Sequence, residues 1–107
     1  MTESEIQKRI MLAIGARPDC RVLRLNVGTA RDPSTGQVVR FGLPGQADLL
    51  ALHASGRFCW IEVKTARGRL SEAQRRFRDA MHALAGPRSY VVCRSPEDAI
   101  AAVEALA

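Results

Sequence analysis

Asp48-Leu49-Leu50-Ala51-Leu52-His53, then Ala54-Ser55-Gly56, then Arg57-Phe58-Cys59-Trp60-Ile61-Glu62-Val63-Lys64: this stretch decides the fold. Two short apolar runs flank a small Ser/Gly turn, which is the pattern of a β-hairpin. A three-residue loop, Ala54 to Gly56, puts Gly56 in the left-handed position such loops favour. His53 then faces Arg57, and counting back along both strands sets Asp48 opposite Glu62. Directly opposed residues share a face of the sheet, and Lys64, two residues beyond Glu62, shares that face as well. Apart from these charges the strands are almost wholly apolar, as central buried strands are.

Two carboxylates side by side repel, and like charges directly opposite destabilise a sheet. A cation between them removes the cost. Oxygen ligands suit Mg²⁺ or Mn²⁺, and magnesium is commonly held by one or two carboxylates together with substrate phosphate. Lys64 adds a fixed positive charge that makes sense where an anion also enters. Carboxylates, divalent metal and lysine together suit hydrolysis of a phosphodiester. The plainer alternative makes Asp48 a turn residue and Glu62 and Lys64 the solvated end of a strand.

The chain has 107 residues, room for one domain spanning 1–107. Its hydrophobic fraction of 47% suffices for a core, which excludes a disordered tail. No apolar run is long enough for a membrane span, and Met1-Thr2-Glu3-Ser4-Glu5 is unlike a secretory signal. Cys20, Cys59 and Cys93 stand singly in strand-like runs, the usage of a cytoplasmic protein with reduced core thiols. Net charge is +5, and 14 of the 16 basic residues are arginine, the side chain best suited to phosphate. Charge of this sign points to a nucleic-acid partner. One Trp, one Tyr and three Phe are too few for a single-strand stacking platform.

Ile6, Ile10, Ala13 and Ile14 predict a first helix from about Glu3 to Ile14. Thr2-x-x-Glu5 has capping-box form, so Glu5 either closes the helix start or leans over the sheet toward the acids. Gly15 to Asp19 connects to a strand, Cys20 to Asn26, in which Arg21 and Arg24 alternate with apolar residues. Val27 to Gln37 reads as a loop or long hairpin tip bracketed by Arg31 and Arg40, with Val38 to Phe41 returning as a short strand. Gly42, Pro44 and Gly45 imply a tight backbone approach beside Asp48. A second helix begins at Ser71, with Gln74 at capping-box spacing and Phe77, Ala80, Met81 and Leu84 as its buried stripe, and stops at Gly86-Pro87. Arg67 to Arg78 holds five arginines and a single acid, Glu72. Ser89 to Cys93 is a strand, and Ser95-Pro96-Glu97-Asp98 opens a last helix buried through Ile100, Val103 and Leu106. The order is helix, three strands, helix, strand, helix: an α/β fold with a mixed sheet between helices.

These residues resemble the PD-(D/E)XK nuclease superfamily and, more narrowly, a stand-alone VRR-NUC (virus-type replication-repair nuclease) domain. The carriers are Glu5, Gly45-Gln46-Ala47-Asp48, Glu62-Val63-Lys64 and Leu70-Ser71-x-x-Gln74, across nearly the whole chain. One departure is Ala47, where the family pattern has proline before the metal-binding aspartate. The resemblance implies the restriction-endonuclease-like core and a homodimeric Mg²⁺- or Mn²⁺-dependent DNA endonuclease of a bacterial or phage-infected cell, acting on branched DNA such as four-way junctions. It implies that Asp48, Glu62 and the Val63 carbonyl bind metal, and that Glu5 binds through water or completes a second metal position. Lys64 would orient the attacking water or stabilise developing charge, and Gln74 would help place Lys64 or the nucleophile. Arg24, Arg31, Arg40, Arg67, Arg69 and Arg75 are the candidate phosphate contacts. Two other functions fit the same chain: a DNA-binding module that retains the fold without catalysis, and a metal-dependent hydrolase of small phosphate compounds. The acid–acid–lysine set weighs against the first. The arginines weigh for a polymer and against the second.

Overall fold

The computed structural model describes all 107 residues. Helix α1, Glu3–Gly15, starts at the N-cap Thr2, whose hydroxyl accepts the Glu5 amide, and buries Ile6, Ile10 and Ile14 at four-residue spacing. Strand β1, Cys20–Arg24, follows. Strands β2, Gly28–Arg31, and β3, Val38–Phe41, pair only with each other. Strands β4, Leu49–His53, and β5, Phe58–Val63, lead to helix α2, Glu72–Ala85, a short 3-10 turn, strand β6, Tyr90–Cys93, and helix α3, Pro96–Glu104.

The main sheet has the order β1-β4-β5-β6, with β5 and β6 parallel and the other neighbours antiparallel. It is thus a four-stranded mixed sheet with three helices. The β4–β5 register pairs Leu49 with Ile61 and Leu52 with Phe58, which carries Asp48 opposite Glu62 as the three-residue loop requires. Gly56 takes φ +89° and donates to the His53 carbonyl, while the His53 amide bonds the Arg57 carbonyl at 3.0 Å.

Alternation along the strands divides the sheet into two faces. Leu49, Ala51, Cys59, Ile61, Val63 and Cys93 pack against the isoleucines of α1 and the Ala99, Ala102 and Val103 face of α3. On the other face α2 covers β5 and β6 through Phe77, which meets Trp60 edge-on at 5.3 Å and Tyr90 at 6.0 Å. The α2 stripe is narrower than its spacing predicts: Phe77 and Met81 pack, but Ala80 is exposed and Leu84 is 81% exposed. The reason is that α2 lies over half the sheet, leaving Leu23 of β1 and Leu52 of β4 exposed on its side. In α3, Val103 is buried as expected and Ile100 only half-buried, while Leu106 is buried just past the helix end.

Of the two readings of Val27 to Gln37, a loop or a long hairpin tip, the structure has the hairpin: the segment contains β2, which pairs with β3. Gly28-Thr29-Ala30-Arg31 has little strand preference of its own; the return strand Val38-Val39-Arg40-Phe41 supplies it by pairing Thr29 with Arg40 and Ala30 with Val39. No helix is long and apolar enough to cross a membrane.

Candidate metal-binding acid site

The acids meet at the end of the sheet where β1 and β5 finish and β4 begins. The Asp48 carbonyl accepts the Leu25 amide at 3.2 Å, tying the start of β4 to the end of β1. The Asp48 carboxylate turns toward β5, and its Oδ2 accepts the Val63 amide at 3.0 Å. That bond holds one carboxylate oxygen in a fixed place beside Glu62.

Glu62 is 1% exposed. Its Oε1 accepts from the Gln74 side-chain amide, and its Oε2 is buried without a partner. Two ionised carboxylates are both acceptors, so Asp48 and Glu62 can bond to each other only through a shared proton. Burial first, then the neighbouring Asp48 carboxylate, push the Glu62 carboxyl up to about 9; Lys64 pulls the other way and falls short of balancing them. Burial and the neighbouring Asp48 thus both favour the protonated form of Glu62 over the ionised one.

The side-chain amide of Gln74 does two things at once. Its carbonyl accepts the Ser71 amide at 2.8 Å while the Ser71 hydroxyl accepts the Gln74 amide, a complete capping box. Its amide nitrogen is then left to face Glu62. What brings this turn of α2 so near the acids is Gly45, at φ +75°: a Cβ there would lie 2.1 Å from the Ala73 carbonyl oxygen. The tight approach expected beside Asp48 is thus an approach to α2, one residue before Gln74. Lys64 extends from the same strand end, its amide bonded to the Cys93 carbonyl at 3.1 Å and its stem against Gly68.

Glu5 is not brought to the pair. Its carboxylate accepts the Thr2 hydroxyl at 3.3 Å, on the exposed side of α1. The α1 carboxylate whose charge reaches Glu62 is Glu3. Helical spacing carries the signal: Glu3 precedes Ile6 by three residues and Ile10 by seven, on the buried stripe, whereas Glu5 lies about half a turn away. Val63 enters through its amide, and its carbonyl belongs to the same strand end.

Of the arginines, Arg67, Arg69 and Arg75 are exposed around the loop into α2 and its first turn, and Arg75 bonds the Leu70 carbonyl. Arg76 and Arg78 are spent on Glu72 and Asp79. Arg24 ends β1 beside Leu49, while Arg31 and Arg40 lie on the β2–β3 hairpin.

Composition and spacing did not single out a second cluster. Asp19, Cys20 and His53 bring ligand-type atoms within 4.8 Å of one another at the opposite end of the sheet, beside a cavity of about 320 Å³. The carboxylate there is already engaged. Arg17 takes both Asp19 oxygens at 3.0 Å, holding that carboxyl far below the usual carboxylate range. The Ser55 amide donates to His53 Nδ1, which leaves the proton of a neutral ring on Nε2, 3.4 Å from Asp19. This is an ion-pair network around a histidine. Cys59 and Cys93 are buried thiols pushed up to about 12 by burial, inert core residues as expected.

No protein-family model matches the chain, and no curated protein or solved structure is significantly similar to it.

Proposed function

We propose that the protein is a divalent-metal-dependent DNA nuclease. What carries the reading is the Glu62 carboxyl: buried, beside Asp48, held by Gln74, with Oε2 unpartnered. A buried polar oxygen without a partner costs about 1–3 kcal/mol, more if charged. A small divalent ion bonded to Asp48 and Glu62 removes that cost and the repulsion between them. The donors fit: the Asp48 and Glu62 carboxylates are hard oxygens of the kind Mg²⁺ and Mn²⁺ take.

When bound, the ion acidifies a water and offsets charge on a phosphoryl oxygen. The chain does the rest. The Val63 amide and the Gln74 side chain fix the two carboxylates, so little reorganisation is needed as metal enters. Lys64 sits on the same face to offset charge growing on the phosphate. Arg67, Arg69 and Arg75 are placed to hold the neighbouring backbone, each neutralised phosphate adding affinity that salt removes. A chain that only bound DNA would gain nothing from acids facing the phosphates.

The mixed sheet with acids at one end and a helix-borne glutamine above them supports the finer reading, the PD-(D/E)XK core and the VRR-NUC type within it. Branched DNA as substrate and a two-fold pair of copies belong to that finer reading. The test is incubation with linear, nicked and four-way-junction DNA in Mg²⁺, Mn²⁺ or EDTA, with products read on a gel and mass by sedimentation. Metal-dependent cutting lost in Asp48→Asn is the expected result. Cutting that persists in EDTA, or in Asp48→Asn, overturns the assignment.

A further inference from the structure

We infer that the β2–β3 hairpin is an arm that enters the major groove of B-form DNA beside the acid site. The inference rests on the nuclease reading and extends it to a part of the chain that the acid site does not use.

The hairpin joins no other sheet, and nearly every residue of its two strands is exposed. The molecule measures 46 × 32 × 27 Å. The arm is rooted at the acids: it leaves the end of β1 directly after Leu25, which is bonded to the Asp48 carbonyl, and Gly42 returns it against Val27. Four residues per strand at about 3.4 Å each reach roughly 13 Å beyond that root, or some four base-pair steps along a duplex.

Its two faces differ. The register places Gly28, Ala30, Val39 and Phe41 on one and Thr29, Arg31, Val38 and Arg40 on the other. Arg40 stands directly across from Thr29 and diagonal to Arg31, and neither arginine has a carboxylate partner. The one acid of the arm, Asp32, is turned inward: its Oδ1 accepts the Ser34 amide at 2.8 Å and the Ser34 hydroxyl at 2.7 Å. Arg31 bonds only the Gly36 carbonyl. A ribbon with an uncompensated basic face suits a polyanion. The major groove of B-DNA, about 12 Å wide, admits a two-stranded ribbon, whereas the major groove of double-stranded RNA is too narrow. With Arg67, Arg69 and Arg75 on the α2 side, the acids lie between two basic surfaces, one for the strand being cut and one for the duplex leading to it.

The test uses full-length protein in the Asp48→Asn background, so that binding is read without cutting. Duplex DNA affinity is followed by fluorescence anisotropy over a salt series, with and without Arg31→Ala/Arg40→Ala. Loss of two phosphate contacts lowers the slope of log K against log salt by about 1.8. An unchanged salt slope in a parent that binds DNA overturns the arm and leaves the nuclease reading standing. So does a double variant that keeps its salt slope but sediments at half the mass, since the hairpin would then hold a second copy. A parent that binds no DNA at any salt defeats the nuclease reading itself, and the arm with it.

Discussion

Replacing Glu62 by glutamine should make the metal-free protein more stable while destroying its activity. Glu62 keeps a proton in the fold up to about pH 9 that the unfolded chain releases near 4.5. The folded state thus binds more protons, so stability falls as pH rises through that window and levels off above it. At about 1.4 kcal/mol per pH unit, the rise from 4.5 to 7 costs roughly 3 kcal/mol, an upper figure because Asp48 shares the titration. Glu62→Gln removes the ionisation and keeps the volume. Its carbonyl can still accept from Gln74, and its amide can donate to Asp48. For a domain of this size, the apo melting temperature at pH 7 should rise by on the order of 10 °C. The measurement is thermal unfolding in EDTA from pH 5 to 9. Wild type should lose stability steadily and Glu62→Gln much less. Adding Mn²⁺ should raise the wild-type melting temperature and leave the variant unmoved. A variant no more stable than wild type at pH 7, with wild type flat across the range, would refute the claim that Glu62 is held protonated by burial beside Asp48.

Lys64→Met should cut turnover by at least a hundredfold while changing DNA affinity in EDTA by less than tenfold, which separate cleavage and anisotropy measurements decide; a parallel fall in both would make Lys64 a binding residue only. Gly45→Ala should lose about 1–3 kcal/mol, because its φ of +75° strains alanine and the new methyl meets the Ala73 carbonyl. Urea unfolding gives that number, and a smaller Mn²⁺-induced melting shift should accompany it if Gln74 is displaced from Glu62. Glu3→Gln should weaken Mn²⁺ binding measured by calorimetry more than Glu5→Gln does; equal losses would return Glu5 to the site.

Much of this arrangement was legible because strand periodicity is strict. Once Ala54 to Gly56 is read as a three-residue loop, the positions of Asp48, Glu62 and Lys64 follow without freedom, and the register agrees residue by residue. The capping box at Ser71 was equally plain, since it is local. What could not be read depends on how far one element extends over another. The Leu84 exposure follows from α2 lying over half the sheet, which no spacing within α2 reveals. Strand β2 owes its conformation to a partner ten residues away. The double use of Gln74 required knowing that Gly45 lets α2 approach. Glu3 is a different matter: its place on the Ile6 and Ile10 stripe was readable, whereas Glu5 entered the site only through the family resemblance, and its capping contacts with Thr2 are the local alternative the spacing offered.

Because a single amide group both closes the first turn of α2 and grips Glu62, the start of that helix and the charge state of the acids form one linked equilibrium. Whatever draws Glu62 away from Gln74 also loosens the Ser71 cap. Amide protons of Ser71 to Arg75 should consequently exchange at rates that report on metal occupancy, making the helix start a built-in gauge of the site's loading.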